Sequence, residues 1–128
     1  MIKPLGPRGV RAIRGATTVL SDEPALIREA VIELLESMLD DNDLSPADVI
    51  SAVFTGTSDL VSEFPAHAAR LIGWSDIPLL CAQELPVQGA LPRCIRVMLH
   101  AESRRTRAEI RHVYLRDAIL LRTDLLAD

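Results

Sequence analysis

Apolar positions along this chain follow two rhythms, and the switches between them mark the elements. From Val10 to Val19 the run Val-Arg-Ala-Ile-Arg-Gly-Ala-Thr-Thr-Val is rich in β-branched residues and bounded by turn formers, which predicts a strand. Before it, Pro4, Gly6, Pro7 and Gly9 make residues 1–9 an irregular lead-in. Ser21-Asp22-Glu23-Pro24 reads as a helix start, with capping side chains, acids suited to the helix dipole and a proline tolerated in the first turn. From there to about Leu39, Leu26, Ile27, Ala30, Val31, Leu34, Leu35, Met38 and Leu39 form one broad apolar face, while Arg28, Glu29, Glu33 and Glu36 mark the wet side. Asp40 to Asp43 are expected to form a solvated acidic exit.

Ser45-Pro46-Ala47-Asp48 then caps one short turn, and Val49 to Thr55 is a second strand. After Phe64-Pro65, residues Ala66 to Ile72 predict a short helix closed by Gly73 as its left-handed cap. Ile77 to Glu84 is a short strand, and Pro78 near its start points to a strand end or a sheet edge. Gly89 to Pro92 is a loop leading into the strand Cys94–His100. Beyond it come a solvated basic loop from Ser103 to Arg107, a strand or strand-turn over Ile110–Leu115, a short buried run over Ala118–Leu121, and a mobile tail at 123–128. Two helices alternating with about five strands predict one α+β domain over residues 1–128, a mixed β-sheet with helices packed on it.

The Cys94–His100 strand carries the most informative residue. Period 2 places Ile95, Val97 and Leu99 on a uniformly apolar face and Cys94, Arg96, Met98 and His100 on a mixed one. A guanidinium in an apolar strand must find an anion or a solvated cavity to offset its desolvation, so Arg96 points to an anionic small molecule. On the first strand the same period puts Arg14 beside Ala12, Ala16 and Thr18, whose small side chains leave room for a ligand; a solvated face explains the spacing equally well. Arg70 in the short helix reads as a surface residue, and Glu84 as either the first residue of a turn or an acceptor at a pocket rim.

Composition narrows the function classes. A formal charge of −4 and few aromatics give no support for nucleic-acid binding. The N-terminus lacks the apolar core of a signal peptide, no apolar run approaches bilayer length, and the chain is read as cytoplasmic with no membrane partner. Cys81 and Cys94 lack the paired spacing of a zinc or dithiol motif and are expected to be reduced. His67, His100 and His112 are too scattered to propose a metal site, and no serine or cysteine stands in a nucleophile context. The reading therefore has no metal, no cofactor and no covalent catalysis.

Five segments taken together are more specific: Ile13-Arg14-Gly15-Ala16-Thr17-Thr18, Phe64-Pro65-Ala66, Cys81-Ala82-Gln83-Glu84, Cys94-Ile95-Arg96-Val97-Met98 and Ile110-Arg111-His112-Val113-Tyr114-Leu115. In this order and at these spacings, over about Val10 to Leu125, the chain strongly resembles the small monofunctional bacterial chorismate mutases of the trimeric, Bacillus type. The resemblance implies a pseudo-α/β barrel trimer with active sites at the subunit interfaces. It also implies a cofactor-free Claisen rearrangement of chorismate to prephenate, on the branch toward phenylalanine and tyrosine. Arg96 would face the breaking ether bond, and Arg14 and Tyr114 would bind substrate carboxylate. Leu80, Cys81 and Glu84 would line the place of the ring hydroxyl. Phe64 and Arg70 would close the site from the neighbouring subunit, and Leu121 and Arg122 would act from the tail. His67 and Asp117 stand where members of that family can carry lysine. Two other readings use the same residues: a non-catalytic receptor for an anionic metabolite, and an enzyme of enamine or imine intermediates on a related trimeric barrel.

Overall fold

A computed structural model of the protein describes residues 6–122. Five strands form one mixed sheet: β1 (Gly9–Thr18), β2 (Val49–Gly56), β3 (Leu79–Gln83), β4 (Cys94–Ser103) and β5 (Val113–Tyr114), in the order β3-β2-β4-β1-β5. β4 lies at the centre, antiparallel to β1 and β2, while β3 and β5 join in parallel at the two edges. The expected strands and helices are present, most with boundaries shifted by a residue or two; β4 runs three residues beyond His100, only Val113–Tyr114 of the Ile110–Leu115 stretch is strand, and β3 takes the edge that Pro78 suggested.

Two helices, α1 (Pro24–Asp41) and α2 (Pro65–Leu71), pack on each other and on one face of the sheet. That face carries Ile13 of β1, Ala52 and Phe54 of β2, and Ile95, Val97 and Leu99 of β4, all buried. Against them α1 buries Ile27, Ala30, Val31, Leu34, Leu35, Met38 and Leu39. Each of its larger apolar side chains contributes about 1.5–3 kcal/mol on burial, so this helix is the main packing element of the core. It comes very close to β1 at Gly15, where an added Cβ would collide with Met38 Sδ and crowd Leu34 Cδ1. Glycine at that point lets helix and strand meet while Arg14 and Ala16, its neighbours, turn the other way. Gly73 leaves α2 with φ +97° and leads into Trp74, which is 1 % exposed.

Four local expectations change. Ser21, Asp22 and Glu23 do not cap α1 with their side chains. Ser21 instead donates to the Glu23 carboxylate at 2.6 Å, and Asp22 accepts from Ser62 Oγ at 2.7 Å and from the amides of Val61 and Ser62. The helix start rests on Pro24, and the acid ties down the loop before α2. The acidic exit is not wholly solvated: Asn42 is 1 % exposed, and its Nδ2 donates to the carbonyls of Met38 and Arg111, both at 2.8 Å. The basic loop is partly structural, since Ser103 still belongs to β4 and Arg105 Nη1 donates to the Asp41 carbonyl at 2.7 Å. Finally, Ala118–Leu121 is not a buried run. It lies in a 3-10 helix over Arg116–Arg122 in which only Ala118 is buried and Ile119 and Leu120 are exposed. The tail at 123–128 lies outside the described residues. Among the described residues, no helix is long and apolar enough to cross a membrane.

Candidate active site

The sheet face turned away from α1 and α2 carries the polar chemistry. Cross-strand register sets it out in rows: Ala16 and Thr55 flank Arg96, and Arg14 and Val53 flank Met98. Alternation sends all six to the same side, opposite the buried Ile95, Val97 and Leu99. Glu84 follows β3, where its amide donates to the Gly56 carbonyl at 2.9 Å. Its carboxylate Oε1 accepts from the Thr55 hydroxyl at 2.6 Å and lies 3.3 Å from Arg96 Nε. The turn reading of Glu84 therefore gives way to that of an acceptor at a pocket rim. Arg96, expected to need an anion or a solvated cavity, has the Glu84 carboxylate beside it and half of its side chain accessible.

The opposite wall comes from the C-terminal part of the chain. Tyr114 sits on β5 beside Ala16. Arg116 turns the chain with φ 53° and donates from Nη1 to the Thr18 carbonyl at 3.1 Å, which swings the 3-10 helix back across β1. That helix delivers Leu121 and Arg122 to the pocket. The Arg122 guanidinium lies 5.4 Å from the Tyr114 ring centroid, and its Nη1 donates to the Tyr114 hydroxyl at 3.0 Å. Arg14, Glu84, Arg96, Tyr114, Leu121 and Arg122 thus line a single cavity of about 420 Å³. Three guanidiniums against one carboxylate leave it with two surplus positive charges. Cys94, beside Arg96, is buried, and that burial pushes its thiol up against the opposing pull of the guanidinium.

Other expected site residues lie elsewhere in the same chain. Phe64, 70 % exposed, and Cys81 line a second cavity of about 400 Å³ with Glu63, Ala82 and Ile95. Glu63 braces that wall: His67 first, then Arg28 at 2.6 Å, hold its carboxyl below the usual range. Leu80, registered against Val53, shares the Arg96 face and is exposed. Arg70 is an exposed residue near the end of α2 and lines neither cavity. Two residues gain importance that their sequence positions did not suggest. Thr55 holds Glu84, and His112 accepts a hydrogen bond from the Arg14 amide at 2.9 Å through Nδ1. Both are cross-strand relations that no local spacing encodes.

Fold and pocket together define a small α+β protein whose sheet carries a cavity with two surplus positive charges. The family model for chorismate mutase type I matches residues 10–125. The chorismate mutase AroH of Thermus thermophilus is 50 % identical over 117 residues, covering 91 % of this chain and 96 % of that protein. The AroH enzyme of Bacillus subtilis is 43 % identical over 117 residues, covering 91 % and 92 %. Among solved structures, a chorismate mutase from Clostridium thermocellum superimposes with a TM-score of 0.84 at 44 % identity, covering 86 % of this chain and 98 % of its own. The chain belongs to the chorismate mutase type I family and is an isomerase of that class.

Proposed function

We propose that this chorismate mutase turns chorismate into prephenate in the Arg96 cavity, by restricting the substrate's conformation and stabilising charge on its ether oxygen. In the rearrangement the ether carbon–oxygen bond breaks while a new carbon–carbon bond forms, within one molecule and without an added nucleophile. Catalysis then rests on a folded bound conformer and on charge placed where charge develops. Arg96 faces the ether oxygen. Arg14 and Tyr114 take substrate carboxylate, and Glu84 receives the ring hydroxyl, with Leu80 on the same sheet face and Cys81 brought in from the neighbouring chain. Both protein contacts of the Glu84 carboxylate fall on Oε1, which leaves Oε2 for that hydroxyl. Leu121 and Arg122 cover the pocket from the 3-10 helix.

The observation that carries this reading is the charge of the cavity. Chorismate bears two carboxylates, and the lining offers two net positive charges to meet them. Incubating the purified protein with chorismate should consume its absorbance and yield prephenate; a folded protein giving no more than the uncatalysed rate would overturn the proposal.

Thr55 provides a finer check. Its hydroxyl orients Glu84, so Thr55→Val is expected to lower kcat/KM about three- to tenfold, the effect of losing a hydrogen bond of roughly 1 kcal/mol, while Thr55→Ser keeps most of the activity. Equal rates for all three proteins would mean that Glu84 is held without Thr55.

The working unit is a homotrimer with its sites between chains, acting in the cytoplasm. Phe64 and Arg70 support the shared site, because within one chain neither reaches the Arg96 cavity. The uncovered sheet face, with Leu80 64 % exposed, offers the surface on which copies meet. Solution mass should read three chains.

A further inference from the structure

Arg14 reaches its cavity from a strand whose backbone is held unevenly. It stands opposite Met98 in the antiparallel β1–β4 ladder but turns its amide away from β4. In such a ladder alternate residues leave their N–H and C=O to the other side, so that amide needs a partner beyond β1. β5 is only two residues long, and its parallel pairing with β1 begins one position later, at Gly15 and Val113. The missing acceptor is a side chain: His112 Nδ1 receives the Arg14 N–H at 2.9 Å.

The ring is itself well anchored. Immediately before it, buried Asn42 grips the Arg111 backbone on both sides, accepting from its amide and donating to its carbonyl, each at 2.8 Å. Immediately after it, Val113 and Tyr114 enter the sheet, and the Leu115 amide donates to the Ala16 carbonyl at 2.9 Å. One short segment thus links the end of α1, the strand bearing Arg14 and the residue Tyr114. We infer that His112 is a positioning residue: its Nδ1 extends the β1–β5 ladder by one bond and fixes the direction from which Arg14 enters the cavity.

This role demands a particular protonation state. Nδ1 must be a bare acceptor, so the ring is neutral with its proton on Nε2. The surroundings enforce that state: burial first, then the positive charges of Arg14 from β1 and Arg122 from the 3-10 helix, hold the histidine below its ordinary range. Protonation would turn the acceptor into a donor facing another donor. Because the folded pKa is depressed, the bond survives mild acid and is lost only as pH falls through that lowered value, together with the stability it contributes.

The inference rests on the reading of Arg14 as a substrate ligand, and two side-chain swaps separate the two claims. Asparagine can offer its amide oxygen near the place of Nδ1, whereas leucine fills similar space without an acceptor. His112→Leu is expected to lower kcat/KM roughly tenfold to a hundredfold and to speed hydrogen exchange at the Arg14 amide, with circular dichroism unchanged. His112→Asn should stay within about threefold of the unmodified enzyme, keep the Arg14 amide protected, and remove the loss of activity expected of the unmodified enzyme as pH falls below the ordinary histidine range. If the leucine variant does not fold, the asparagine variant decides alone. An asparagine variant with a fast-exchanging Arg14 amide, or a folded leucine variant with native exchange, overturns the positioning role. If Arg14→Ala itself leaves kcat/KM unchanged, the failure lies with the substrate-ligand reading, and the exchange data still judge the hydrogen bond.

Discussion

Replacing Arg96 with alanine is expected to cut kcat by at least about 10²–10³ while the fold survives. Removing one preorganised donor from a developing oxyanion commonly costs that much, and a fixed cation in a cavity lined by Tyr114 and Leu121 has more to lose than a neutral donor. The loss should fall mainly on kcat, because charge on the ether oxygen grows only as the bond breaks and is small in the bound substrate. The fold should tolerate the change. Half of the Arg96 side chain is accessible, and the residues that pack the core from β4 are its neighbours Ile95 and Val97 on the other face. Arg96→Lys should fall between the two, keeping a charge but losing the planar fork that can meet Glu84 and the proposed substrate at once. Turnover and circular dichroism on the same preparation test this, and near-native turnover in a folded alanine variant would sink the electrostatic role.

Arg70 and Arg96, in different parts of one chain, should complement each other across chains. Arg70→Ala and Arg96→Ala are each expected to be severely impaired. After the two proteins are unfolded together and refolded at equal amounts, activity should return to roughly a quarter of the native level, because three-quarters of random trimers are mixed and each mixed trimer rebuilds one intact site of three. The expectation follows from geometry: Arg70 sits near the exposed end of α2, and Phe64 and Cys81 line a cavity separate from that of Arg96. If every chain held a whole site, mixing would restore nothing. Preparing one variant with a heavy isotope gives the two chains different masses, and native mass on the same samples then verifies that chains exchange.

How far the sequence anticipates the structure depends on the range of each interaction. β4 was legible because Ile95, Val97 and Leu99 alternate with Arg96 and Met98, and α1 because its apolar positions recur at the helical period. Pro78 marked the edge position of β3. Misread features depend on partners far along the chain. Asn42 looks like part of an acidic loop until Arg111 is brought beside it, and Asp22 looks like a helix cap until Ser62 claims its carboxylate. The Ala118–Leu121 run is apolar enough to suggest burial, but a 3-10 helix lying on β1 has only one narrow face to hide.

The candidate site divides along the same line. Periodicity alone drew attention to Arg96 and left Arg14 and Glu84 undecided. The family resemblance added Tyr114, Leu121 and Arg122, all of which the fold gathers around one cavity. Thr55 was invisible because its importance comes from lying across β4 from Ala16, with Glu84 arriving from the neighbouring strand.

Trp74 has a practical value. It is the single tryptophan of the chain, buried in the connection from α2 to β3 and absent from both cavities. Its emission reports whether the core is intact: an indole in apolar surroundings emits at shorter wavelength than one in water. Substitutions around Arg96 should leave that emission unmoved, and those that loosen the core should shift it to the red. Structural integrity and chemistry therefore have separate optical channels, supplied by the protein without an added label.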